Sequence, residues 1–137
     1  MMLATDSPFY RVSLKALIFD EQRRLLVFQD KAGDWEIPGG GFEHGESVQA
    51  CIARELYEEM RIIPEEIGKI RFMYTGKHKK NYHKLCLAVP VSIRPGDFVP
   101  TDDDLVAARY VTRDEFLQLP FGPNERTVLE CVDQIWP

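Results

Sequence analysis

The chain is 137 residues long, 45% hydrophobic and 28% charged, which supplies enough apolar material for one packed domain over 1–137 and excludes disorder as its main state. Its formal net charge of −5 argues against DNA or an anionic membrane as a partner, so an anionic ligand needs a cation or a local basic patch. No stretch approaches the roughly 20 apolar residues of a membrane span, and "MMLATDSPFYRV" lacks the order of a secretory signal, which sets the expectation of a cytoplasmic protein.

In chain order, 10–19 alternates and then becomes continuously apolar, as a strand entering a core does. "DEQRR" turns the chain and 25–28 returns as a second strand. Residues 35–38 form a short third strand, ended by Pro38 and three glycines. The apolar spacing of Val48, Ile52, Ala53, Leu56 and Met60 predicts a helix over 47–60, which Pro64 prevents from continuing. Strands follow at 69–75, 84–93 and 106–111, then helices at 113–119 and 124–135. This order predicts an α/β class protein with a mixed sheet between helices. Cys51, Cys86 and Cys131, odd in number and far apart, read as reduced, buried small hydrophobes.

The chemistry is concentrated in "RELYEEMRI", residues 54–62. At about 100° per residue, Glu58 and Glu59 fall about 60° and about 40° to either side of Glu55, so three carboxylates share one sector. Such clustering predicts abnormally high titration in their metal-free state, and it suits a hard divalent cation such as Mg²⁺. A bare E-x-x-E-E more often describes a solvated acidic face. The preceding "PGGGFEHGE" shifts the balance, because a tight glycine turn entering a helix brings backbone groups against phosphates and metal.

With these residues in place, the chain resembles the Nudix hydrolases. Their motif is a glycine, five residues, a glutamate, seven residues, then Arg-Glu-aliphatic-any-Glu-Glu-any-Gly-aliphatic. Gly40, Glu46, Arg54, Glu55, Leu56, Glu58, Glu59 and Ile62 match it, and Arg61 stands where the late glycine belongs. The resemblance implies an α/β/α sandwich that uses Mg²⁺ or Mn²⁺ to hydrolyse a pyrophosphate bond in a nucleoside diphosphate linked to another moiety. It implies Glu55, Glu58, Glu59 and the Gly39 carbonyl as metal ligands, with Arg54 and Glu46 orienting the carboxylates. The general base is Glu55 or a loop carboxylate, Asp104, with Asp102 and Asp103 as its neighbours. The partner implied is a small-molecule nucleotide, foremost a nucleoside triphosphate or a related nucleotide, bound by a monomer or homodimer. A catalytically silent nucleotide sensor and an RNA 5′-end pyrophosphohydrolase are the competing readings.

"GKHKKNYHK" is a basic hairpin in an acidic chain, and Lys79, Lys80, Tyr82 and His83 are its substrate-contact candidates. A solvated hairpin tip is the other reading of the same residues. Arg61, at the expected helix stop, should adopt a left-handed conformation at a cost of about 1 kcal/mol, so Arg61→Gly is expected to stabilise.

Overall fold

The computed structural model describes residues 8–78, 80–94, 103–122 and 125–137. Its strands are β1 (Tyr10–Leu17), β2 (Leu25–Asp30), β3 (Trp35–Glu36), β4 (Gly39–Gly41), β5 (Pro64–Ile67), β6 (Phe72–Lys77), β7 (His83–Ile93) and β8 (Leu105–Val111). The helices are α1 (Val48–Met60), α2 (Arg113–Gln118) and α3 (Val132–Ile135), the last preceded by a 3-10 segment, Arg126–Cys131. No described helix is long and apolar enough to cross a membrane.

The strands form two sheets. In the five-stranded one, β1 lies between β4 and β7, and β5 and β6 both pair with β7. β1 runs parallel to β7, from Tyr10 opposite His83 to Leu17 opposite Pro90, whereas its pairing with β4 is antiparallel, so the sheet is mixed. The second sheet is antiparallel, ordered β3-β2-β8.

Strand alternation divides the core in two. Leu14, Ala16 and Ile18 pack with Leu26, Phe28 and the α1 residues Cys51, Ile52, Leu56 and Met60. Leu17, Val27, Trp35, Tyr74 and Cys86 face the other way, onto Phe116, Val128, Cys131 and Ile135. The result is the expected α/β/α sandwich. All three cysteines are free and buried.

Helix α1 starts at Ser47, whose hydroxyl accepts the Ala50 N–H at 3.1 Å. It stops at Arg61, which is left-handed with φ 56°. There the Arg61 guanidinium lies 4.6 Å from the Tyr57 ring centroid and donates to the Tyr57 carbonyl at 3.3 Å. Those contacts offset part of the cost of placing a side chain in that conformation.

Several boundaries correct the sequence reading. Gly39–Gly41 is a strand rather than only a turn, because pairing with β1 decides it despite the low strand preference of glycine. The helix has already stopped at Arg61, and Pro64 instead opens β5, an edge strand where a missing N–H is tolerated. The expected terminal helix is 3-10 over Arg126–Cys131, with a single α-turn after it. The expected mixed sheet is the five-stranded one, and the separate antiparallel sheet β3-β2-β8 is an addition to that expectation.

Candidate active site

Two glycines set the approach of β4 to its neighbours. Gly39 has φ 143°, and a Cβ there would lie 1.9 Å from the Leu14 carbonyl oxygen on β1. At Gly40 a Cβ would lie 2.3 Å from Glu55 Cδ, so the missing side chain is the space that the carboxylate occupies. The Gly39 N–H donates to Glu59 Oε1 at 3.1 Å, tying the strand to the last turn of α1.

Arg54 organises the acidic face. Its Nε and Nη2 donate to the two oxygens of Glu46, each at 2.8 Å, in a bidentate pair. Nη1 donates to Glu55 Oε1 at 2.9 Å and reaches Glu58 Oε2 at 3.4 Å, and Nη2 also holds the Gly41 carbonyl at 3.0 Å. One guanidinium therefore fixes three carboxylates and the end of the glycine strand. The Arg54 hydrogen bonds lower the Glu46 carboxyl to about 2, assisted by the Glu43 N–H. An ordinary i,i+4 pair with Glu58 is part of the pattern but the longest of its carboxylate contacts.

Glu55 and Glu59 are raised above the ordinary carboxylate range. Burial is the largest cause for both. At Glu59, Lys15 opposes the shift while Glu36 and Glu55 add to it. At Glu55, Arg54 opposes it and Glu58 adds to it. Like-charge crowding thus contributes as expected from the helix geometry, but desolvation outweighs it. Glu59 is buried, while Glu58 is exposed. Among the described residues, no three His, Cys, Asp or Glu side chains converge tightly enough to hold an ion as they stand. The donor set is all oxygen, which fits Mg²⁺ or Mn²⁺ and not a thiolate- or imidazole-preferring metal.

Glu59 lines a cleft of about 370 Å³ together with Trp35, Asp104, His78, Lys84 and Glu125. Asp104 is positioned through its backbone, its carbonyl accepting the Lys31 N–H at 3.0 Å. Of the four hairpin candidates, Lys79 lies outside the described residues. Lys80, Tyr82 and His83 are not among the described residues that line the cleft. The Lys80 backbone N–H donates to His78 Nδ1, Tyr82 stacks on His78 with centroids 4.4 Å apart, and His83 packs beside Tyr10.

Sequence reasoning missed Lys15 and Glu125 and treated Lys84 only as part of the basic hairpin. Lys15 is buried on β1 at an inward position and donates to the Ile37 carbonyl at 3.3 Å. Burial opposes its charge, yet Glu36, Glu125 and Glu59 outweigh that and hold the ammonium above its ordinary range. The signal available was a lysine interrupting the apolar run "SLKALIF". Nothing in the local pattern marks Glu125.

Known proteins place the chain in a family. The family described as NUDIX domain matches residues 9–131. Over 136 residues the chain is 31% identical to a MutT-like protein of Streptomyces ambofaciens, covering 98% of this chain and 84% of that protein. It is 25% identical over 124 residues to Nudix hydrolase 2 of Arabidopsis thaliana, covering 84% of this chain and 44% of that protein, so it spans less than half the length of the plant relative. The solved structure of an ADP-ribose pyrophosphatase from Streptococcus suis superimposes with a TM-score of 0.73 at 24% identity, over 93% of this chain and 90% of that one, a likeness of fold. With the motif residues gathered around Arg54 and a family match over nearly the whole length, the chain belongs to the Nudix hydrolase family.

Proposed function

We propose that this protein hydrolyses a pyrophosphate bond in a nucleoside diphosphate linked to another moiety, foremost a nucleoside triphosphate or related nucleotide, with Mg²⁺ or Mn²⁺. The observation that carries the reading is the Arg54 assembly, which holds Glu46, Glu55 and Glu58 beside a cleft that Glu59 lines.

Glu55, Glu58, Glu59 and the Gly39 carbonyl are the groups that would hold the metal. When bound, it neutralises phosphate charge and makes a coordinated water more acidic. Arg54 keeps Glu55 and Glu58 on one face, and Glu46 fixes the Arg54 fork from the far side. Gly40 leaves room for Glu55, whose second oxygen, Oε2, makes no hydrogen bond to Arg54 and takes the proton of the attacking water. The water oxygen adds to phosphorus as the bridging P–O bond breaks, giving two phosphate products. Asp104, which lines the same cleft as Glu59, is the alternative proton acceptor.

The test is a panel of nucleotides with Mg²⁺, Mn²⁺ or chelator, scored for phosphate against pyrophosphate release. Glu58→Gln and Glu59→Gln are expected to lose on the order of 10²–10³-fold in kcat with the fold retained. Full activity in both variants would remove the metal-ligand assignment, and an inactive wild type that still binds nucleotide would favour the silent sensor.

A further inference from the structure

The cleft beside Glu59 contains a second charged element that the hydrolytic chemistry does not use. Lys84 lies on β7 in the inward-facing series Lys84, Cys86, Ala88, where alternation calls for an apolar residue. Its ammonium pairs with Glu125, the residue before the 3-10 segment, and the side chains are only 10% and 12% exposed. A buried pair of this kind gives no stability that apolar packing would not, so stability alone does not account for it. Both residues line the cleft together with Trp35, whose ring also carries the Arg109 guanidinium at 4.9 Å.

The electrical character of the cleft narrows what it accepts. Among the described lining residues, six are Asp or Glu, against Lys77, Lys84 and His78. An anionic group deep in this space would face these six carboxylates against three ammonium groups, those of Lys77, Lys84 and the buried Lys15 that Glu36, Glu59 and Glu125 hold charged. The pair itself has capacity beyond its mutual contact, since an ammonium offers three donors and a carboxylate two oxygens. Side by side, they match an uncharged edge that carries an acceptor next to an N–H.

We infer that Lys84 and Glu125 are the specificity-determining pair of this cleft, reading the hydrogen-bonding edge of a nucleobase and excluding a second phosphate group. The inference rests on the proposed pyrophosphohydrolase reading, with the phosphates at the carboxylate face and the base in the cleft. Lys84 donates to a carbonyl or ring nitrogen, and Glu125 accepts from the adjacent N–H. Neither touches the bond that breaks, so their loss falls on binding and on the choice of base.

The test uses the full chain with Mg²⁺ and compares wild type, Glu125→Gln and Lys84→Arg on four nucleoside triphosphates, with inorganic tripolyphosphate as a competitive inhibitor and a thermal melt for each variant. The expected result is a rise of about tenfold in KM for the preferred nucleotide, a changed ranking of the four bases, and a tripolyphosphate Ki within about twofold of wild type. A lower KM or Ki in Glu125→Gln would place an anion against that carboxylate and overturn the inference. An unchanged base ranking in both variants would overturn it as well. Should Glu125→Gln fail to fold, Lys84→Arg, which keeps the charge and alters the donor geometry, decides by the same ranking. Wild-type inactivity on every nucleotide would instead count against the hydrolase reading, so the two failures are distinct.

Discussion

Replacing Gly40 by alanine separates catalysis from folding. The new methyl group would lie 2.3 Å from Glu55 Cδ and 2.4 and 2.5 Å from its oxygens, while the backbone at Gly40 is not left-handed and accepts an L-residue. Restoring ordinary contact at about 3.4 Å moves the carboxylate by about 1 Å. The Arg54–Glu55 bond, 2.9 Å long, then approaches the 3.5 Å limit and is weakened or lost. A displacement of about 1 Å in a catalytic constellation costs on the order of 10²-fold in rate. Stability changes little, because the loss of one hydrogen bond, about 1 kcal/mol, is opposed by about 0.4–1 kcal/mol from a less flexible unfolded chain. Steady-state kinetics at saturating Mg²⁺, run beside a urea melt, measures both quantities. A Gly40→Ala protein with kcat/KM within threefold of wild type would refute the claim that the missing side chain holds Glu55 in place. Gly39→Ala is the contrast: at 1.9 Å from a backbone carbonyl and φ 143°, it is expected to abolish cooperative folding.

Three further outcomes follow from the electrostatics and the helix stop. Glu46, depressed to about 2 from 4.5 by Arg54, contributes stability that is complete above about pH 4.5 and is lost as pH falls through about 2. The Tm difference between wild type and Glu46→Gln should therefore stay level above pH 5 and close toward pH 2. Glu59 is raised, so its ionisation penalises the metal-free fold increasingly as pH rises above 4.5. In chelator, Glu59→Gln should gain Tm over wild type between pH 5 and 7, and Mg²⁺ should raise the wild-type Tm more at pH 7 than at pH 5; the opposite slope in a differential scanning series would contradict it. Arg61→Gly relieves about 1 kcal/mol of left-handed strain but forfeits the Tyr57 stack, about 0.5–1 kcal/mol. Its net change in a urea melt should stay within about 0.5 kcal/mol with turnover unaltered, and a shift beyond 2 kcal/mol would show another role for the side chain.

The acidic helix was legible because its determinants are local: Ser47 caps it, Ile52, Leu56 and Met60 repeat at helical spacing, and Glu55, Glu58 and Glu59 share one sector of the wheel. The α/β/α arrangement followed from the order of strands and helices. β4 and β5 were not legible, since three glycines and a Pro-Glu-Glu stretch have poor strand propensity and become strands through their partners β1 and β7. The terminal segment showed helical periodicity, but periodicity over six residues does not separate 3-10 from α geometry. The far wall of the cleft was hidden for a related reason. Lys84 and Glu125 are 41 positions apart, and only tertiary packing makes them neighbours. Lys15 was visible as an irregularity in an apolar strand, yet its charge in that buried place depends on Glu36, Glu59 and Glu125 arriving from three other places in the chain.

The parallel pairing of β1 with β7 also sets the order in which the molecule can be assembled. Every matched residue of the motif lies before His83, yet β1, which braces the glycine strand, has one side open until β7 has been synthesised. At about 5–20 residues per second, the nascent chain carries a completed acidic helix and an unpaired strand edge for seconds. During that interval the exposed edge is a template for mispairing with another chain, and the closing of a long loop limits how quickly it is covered. A fragment ending before β7 would consequently carry Gly39, Glu55, Glu58 and Glu59 without the β1–β7 pairing that braces the glycine strand.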